Sequence, residues 1–152
     1  MGKCYNSAVV AAPCEKVWQN IRNFHDLSWA PGVVTKVDVE GGLKGDQIGA
    51  KRIVNDAFHE TLLTLDDAEH TFSYSIDDGP EPVSKESVKN YVGTVRVAPI
   101  TESDTTFIEW QSTYESSDDS AVGDFCNPIY VALLSALKQH FASISSSGGA
   151  RV

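Results

Sequence analysis

Residues 121–144, AVGDFCNPIYVALLSALKQHFASI, place Val122, Phe125, Ile129, Leu133, Ala136 and Leu137 at helical spacing, and Leu134, Phe141 and Ile144 widen the apolar stripe. One flat neighbour cannot cover so wide a stripe, so the helix must be wrapped. Pro128 lacks a backbone N–H, and the sequence predicts either a kink there or a restart capped by Asn127. Beyond Ile144 the tail SSSGGARV, residues 145–152, is small and polar and is expected to be disordered.

The wrapping material lies upstream. Six strand-like runs, VVTKVDVE, AKRIV, FHETLLTL, TFSYSI, KNYVGTVRVAPI and TTFIEWQSTYES, are separated by Gly41-Gly42, Asn55-Asp56, Asp66-Asp67, the stretch from Asp77 to Pro80, and TESD. They predict an antiparallel meander. Before them stands CYNSAVVAA, a β-branched and small-residue strand. Pro13 then opens PCEKVWQNIRNF, in which Val17, Trp18, Ile21 and Phe24 recur at helical spacing. The next piece, HDLSWAPGV, is broken by Pro31 and Gly32 and has room for a short helical turn only. The order is that of an α+β helix-grip fold: a curved antiparallel seven-stranded sheet around a long C-terminal helix, with two short helices after strand one. A single domain over 1–144 is expected, with a cavity between sheet and helix of the kind that binds small apolar molecules.

Composition narrows the partners. The 152 residues carry 12 Lys and Arg against 21 Asp and Glu, a net charge of −9 that repels phosphate backbones and anionic headgroups, so neither nucleic acid nor membrane is an expected partner. The start MGKCYNSAVVAA lacks the apolar core of a signal peptide, and Asn6 stands where the myristoylation pattern wants Ser or Thr. Cys4, Cys14 and Cys126 are odd in number and form no CxxC pair, which favours a reduced, cytoplasmic setting. His25, His59, His70 and His140 have no ligand spacing, so no metal site is expected. The glycines of GGLKGDQIG do not fit a nucleotide-binding loop, and His25 and Asp26 fit a helix cap better than a dyad. No cofactor is expected, and the chain is read as a monomer or homodimer.

Strand parity sorts the side chains. Ile108, Trp110, Ser112 and Tyr114 share one face of their strand, and Tyr91, Gly93, Val95 and Val97 the apolar face of the strand before. Arg96 and Glu109 fall on the outward faces, as an exposed pair of small energetic weight. On the 58–64 run, Phe58, Glu60, Leu62 and Thr64 compete as the inward set with His59, Thr61, Leu63 and Leu65. A three-residue hairpin loop, Asn55-Asp56-Ala57, pairs Arg52 with Glu60, whereas an even loop pairs Lys51 with Glu60. Periodicity leaves both registers open.

The segments FHDLSWAPGV, GAKRIV, ETLLTLDDAEHTFSYSI, NYVGTVRV and TFIEWQSTYES, in that order and spacing, resemble the polyketide cyclase/dehydrase branch of the START-like (SRPBCC) superfamily. The chain is also similar, more distantly, to the plant lachrymatory factor synthases, which need no cofactor. That resemblance implies pocket roles for Arg52, Glu60 and Tyr91, with Trp110 as an inward tryptophan, and it favours the odd register, with Lys51 and His59 turned outward. It also implies that the loop bearing Trp29 stands at the pocket mouth. The approach DDGPEPVSKESVKN departs from the plant enzymes, and substrate identity does not carry over.

Arg52, Glu60 and Tyr91 are thus the expected catalytic residues. The carboxylate would act as general base on a carbon acid or hydroxyl, the guanidinium would hold an oxygen, and the phenol would supply a directional hydrogen bond. Trp29, Phe58, Tyr74, Trp110, Tyr114, Phe125 and Ile129 are the expected substrate-binding wall, although core packing uses the same residue types. Cys126 could face the cavity as an inert thiol. The expected function is a cofactor-independent lyase or isomerase of cyclase, dehydratase or isomerase type. Its alternative is a non-catalytic binding or carrier protein for a lipid, polyketide or signal molecule. The expected partner is a small hydrophobic or partly polar organic ligand. Against any use of the charges stands a purely structural ion pair.

Overall fold

The computed structural model describes residues 1–149, with side chains through Ser143. Strand β1 (Gly2–Val10) is followed by helix α1 (Cys14–Ile21) and by strands β2 (Val37–Glu40), β3 (Lys51–Val54), β4 (Phe58–Asp66), β5 (Thr71–Asp78), β6 (Val88–Ile100) and β7 (Thr105–Ser116). Helix α2 (Asp119–Gly149) ends the fold. The strands form one antiparallel sheet in the order β1-β7-β6-β5-β4-β3-β2, a meander closed by β1 returning beside β7. The sheet curves around α2, whose Val122, Cys126, Tyr130, Leu134 and Leu137 are buried against it. This is the START-like helix-grip fold.

Helix α1 forms because Pro13 presets its entry and because Val17, Trp18 and Ile21 lie on one buried face. Phe24, beyond its end, joins the core with them. The second short helix expected after it is instead a set of single helical turns. Ala30 N–H reaches Leu27 O, and Val33 and Val34 both reach Ala30 O, but Pro31 and Gly32 prevent the turns from joining. Helix α2 begins two residues before Ala121, where the Asp118 carboxylate accepts the Ala121 N–H. The helix is continuous through Pro128, and the Asn127 side chain accepts a hydrogen bond from Asn6 rather than capping a restart. The helix also passes Ile144 to reach Gly149, while the last three residues of the tail, 150–152, lie outside the described residues. By length and composition α2 could cross a membrane, yet its apolar side is the core of the grip.

The hairpin between β3 and β4 settles the register. Arg52 pairs with Glu60, Ile53 with His59 and Val54 with Phe58, which leaves a three-residue loop in which Asn55 and Asp56 both take left-handed φ angles of 55°. Asn and Asp tolerate that conformation better than other non-glycine residues. Asn55 also anchors the loop, since its Oδ1 accepts from the Thr35 and Lys36 N–H groups at 2.8 and 3.2 Å and its Nδ2 donates to Val33 O at 3.0 Å. Lys51 is exposed opposite Thr61.

Parity holds along β6 and β7, whose expected inward residues Tyr91, Val95, Val97, Ile108, Trp110, Ser112 and Tyr114 are all buried. On β4 it fails at Thr64. A bulge at Leu63 shifts the pairing from Leu62↔Tyr74 to Thr64↔Ser73, so Thr64 turns outward onto the Ser73 hydroxyl and Leu65 packs on the core.

Candidate functional site

Arg52 on β3 and Glu60 on β4 lie opposite each other on the concave face, only 5% and 8% exposed. Arg52 Nε donates to Glu60 Oε1 at 2.7 Å, Nη2 lies 2.7 Å from the same oxygen, and Nη1 donates to the backbone oxygen of Phe24 at 2.7 Å. The Phe24 ring lies under the guanidinium, with Cζ 3.8 Å from its centroid, and Tyr74 lies farther off at 5.7 Å. Both arginine contacts to the carboxylate thus fall on one oxygen, and among the described residues Glu60 Oε2 receives no hydrogen bond.

Burial pushes the Glu60 carboxyl above its ordinary value. Arg52 opposes that rise through its charge and its hydrogen bond, and Asp77 adds a smaller push upward. The desolvation of this buried carboxyl outweighs even a close guanidinium. Such a carboxyl exchanges protons nearer neutrality than a surface glutamate does.

Glu60 and Arg52 line a cavity between sheet and helix. Phe58, Tyr74 and Ile76 continue the sheet wall past the ion pair, with Tyr91 and Trp110 farther along. Cys126, Ile129, Tyr130 and Leu133 form the helix wall, and Leu27 and Val34 of the turn segment complete it. Gly93 makes room for one of these rings, since a Cβ there would stand 2.4 Å from Tyr74 Cζ. Tyr74 Oη in turn accepts the Trp110 indole N–H at 2.9 Å.

At the helix side the Tyr91 and Tyr130 hydroxyls share a hydrogen bond, with Ser112 beside both. Burial raises the pKa of both phenols far above the ordinary tyrosine value, so they are neutral hydroxyls that donate and accept. Burial likewise pushes the Cys126 thiol up to about 11. This end of the cavity is polar but uncharged, whereas the Arg52–Glu60 end carries charge.

Of the residues expected from sequence, Arg52, Glu60, Tyr91, Phe58, Tyr74, Trp110 and Ile129 share the cavity. Tyr91 does not hydrogen-bond to the ion pair. Tyr74 is the phenol that feels the charges of both Glu60 and Arg52. Trp29 lines a smaller neighbouring space, reached past Leu27, Arg52 and Trp110. Tyr114 stacks behind Tyr91 with ring centroids 5.4 Å apart, and Phe125 packs behind Phe58 at 6.3 Å; neither lines the cavity. Both are on the inward side of their elements, but a residue in front covers each.

Tyr130, Leu133, Leu27, Val34 and Ile76 line the cavity without having been singled out from sequence. Tyr130 carried a usable signal, because Cys126, Ile129, Tyr130 and Leu133 follow the i, i+3, i+4, i+7 pattern of one helix face. Ile76 shares the parity of Phe72 and Tyr74. Leu27 and Val34 lie in turns, where no period marks the inward face. Among the described residues no group of three His, Cys, Asp or Glu side chains is placed to hold a metal ion.

Comparison with known proteins agrees with this fold. A family model described as polyketide cyclase / dehydrase and lipid transport matches residues 1–142. A solved protein of Nitrosospira multiformis is 43% identical, with a TM-score of 0.91 over 95% of this chain and 99% of that one. Two plant structures share the fold at 16% identity. Major latex-like protein 151 of Panax ginseng has a TM-score of 0.72 over 92% and 97% of the two chains. Norcoclaurine synthase of Thalictrum flavum, solved with dopamine and hydroxybenzaldehyde, has 0.69 over 90% and 84%. No curated protein matches the chain.

Proposed function

The chain belongs to the polyketide cyclase/dehydrase and lipid transport family, and from that membership we propose that the cavity binds a small, partly apolar organic molecule bearing a carbonyl or acidic oxygen and transforms it by cofactor-independent acid–base chemistry. The observation that carries this reading is the Glu60 carboxyl, buried in an apolar cavity, raised in pKa, and bonded to Arg52 through one oxygen only. Its free Oε2 can take a proton from a carbon acid or a hydroxyl. Three of the five guanidinium N–H groups of Arg52 are engaged, which leaves two to hold a developing oxyanion. At the far end, Tyr91 and Tyr130 offer neutral hydroxyls to a second oxygen of the ligand. Cyclisation, dehydration and isomerisation can each draw on a base, an oxyanion partner and a dry wall.

A second reading, carriage of the ligand without chemistry, is favoured by the saturation of Oε1 and by the packing of the guanidinium on Phe24, which suit a structural ion pair. Native mass spectrometry of the purified protein identifies the retained molecule, which is then incubated with the protein and with Glu60→Gln. Conversion by the natural protein, with binding but no conversion by the variant, supports catalysis. Binding without conversion by both supports carriage.

A further inference from the structure

A second cluster of reactive groups lies outside the cavity. Cys14, the first residue of α1, places Sγ 3.8 Å from Nδ1 of His70, and His70 Nε2 lies 3.1 Å from Oε2 of Glu15. A carboxylate accepts only, so Nε2 carries the proton and the Nδ1 lone pair is turned to the thiol. The imidazole is fixed from three sides. His70 takes a left-handed φ of 50° at the end of the β4–β5 turn, its ring lies 5.4 Å from that of Trp18, and its backbone oxygen accepts the Val97 N–H.

Thiol, base and orienting carboxylate in this sequence of contacts form the constellation that activates a cysteine nucleophile. Neither of the other two cysteines has it. Cys4 meets the Tyr114 hydroxyl at 3.7 Å, and Cys126 faces the phenols of the cavity. Cys14 is only 8% exposed, so the reagent must be small.

We propose that Cys14 is a peroxide-reactive thiol, activated by His70 and positioned by Glu15, and that it forms a sulfenic acid. His70 Nδ1 takes the thiol proton as the sulfur attacks one oxygen of hydrogen peroxide. The S–O bond forms, the O–O bond breaks, and the departing hydroxide takes the proton back from the imidazolium to leave as water. The sulfur is oxidised by two electrons and the peroxide reduced by two. The imidazolium formed in passing faces Glu15 from α1 and Asp67 from the β4–β5 turn, and Arg22 of the α1 end binds Asp67 at 2.8 Å. Burial and the Glu15 charge push the Cys14 thiol up from its ordinary value, so the thiolate is made by transfer to His70 at the moment of attack.

The test treats the folded protein with hydrogen peroxide and dimedone, then maps adducts by peptide mass spectrometry and follows iodoacetamide alkylation of each cysteine against pH. Cys14 is expected to be labelled first by both reagents. His70→Asn should slow its alkylation at least tenfold at pH 7, and Glu15→Gln should shift the pH profile of alkylation while Cys14 stays reactive. First labelling of Cys4 or Cys126, or an unchanged Cys14 rate in a folded His70→Asn, overturns the proposal. Should His70→Asn fail to fold, the exposed Glu15 decides: a Glu15→Gln profile superimposable on the natural one overturns it equally.

Discussion

Arg52 places both Nε and Nη2 on Oε1 of Glu60, and among the described residues Oε2 has no donor. Two neighbouring strands bring this pair together by register alone, yet the pair is asymmetric in a way that a merely structural bridge does not require. A fork-to-fork contact would have satisfied both oxygens. Instead Arg52 holds one oxygen and leaves the other free.

Breaking the pair should cost far more than replacing it. Arg52→Met leaves a buried carboxyl without its partner and is expected to destabilise the fold by about 3–5 kcal/mol, whereas Arg52→Met with Glu60→Leu should recover most of that loss. Urea denaturation of both variants at one pH measures the difference.

The raised Glu60 pKa fixes the sign of a pH dependence. The folded state holds the proton more tightly than the unfolded state, so the contribution is fully present below the ordinary value of 4.5 and is lost as pH rises through the folded value. Glu60→Gln cannot titrate. The stability of the natural protein relative to Glu60→Gln should therefore fall as pH is raised from about 4.5 toward neutrality, as read from paired denaturation curves.

Gly93 is kept empty by the Tyr74 ring. Gly93→Ala should cost about 1–3 kcal/mol through overpacking, and the loss should shrink when Tyr74→Leu is added, because the clash is with that ring. A double-mutant cycle in denaturant measures the coupling. Additive losses would place the strain elsewhere.

Tyr91 and Tyr130 depend on each other's hydroxyl. Tyr130→Phe should destabilise by about 1–3 kcal/mol, because it strands a buried polar group, and Tyr91→Phe with Tyr130→Phe should cost less than the sum of the single changes. Thermal or urea unfolding of the three variants reads this out.

The fold was legible because its elements obey strong periods. The apolar stripe of α2, the alternation of β6 and β7 and the turn residues between runs all point to the same sheet around the same helix. The Arg52–Glu60 register was not legible from alternation, since either parity of β4 buries a comparable apolar set. It is set by the left-handed Asn55 and Asp56 and by the Asn55 bonds to Val33, Thr35 and Lys36, which join segments about twenty residues apart. Thr64 parts from Glu60 and Leu62 at a bulge that leaves no local signature in TLLTLDD. Tyr114 and Phe125 face inward as parity implies, but whether an inward side chain touches a cavity depends on what lies in front of it. No spacing rule carries that information.

The Asn55 anchor is itself testable. Asn55→Gly keeps the left-handed backbone but removes all four side-chain bonds, the one from the Thr35 hydroxyl included, and should loosen the segment 33–36 without changing the pairing of Arg52 with Glu60. Hydrogen exchange at the Thr35 and Lys36 amides should accelerate, while the Arg52 side-chain resonances stay near their natural positions.

The most direct test of the site is the titration of the Glu60 side-chain carboxyl, followed by carbon-13 NMR in selectively labelled protein and assigned by its loss in Glu60→Gln. A midpoint above the ordinary 4.5 is expected, with burial prevailing over Arg52. A midpoint at or below 4.5 would show a carboxylate locked by its arginine, and would contradict the acid–base role of Glu60.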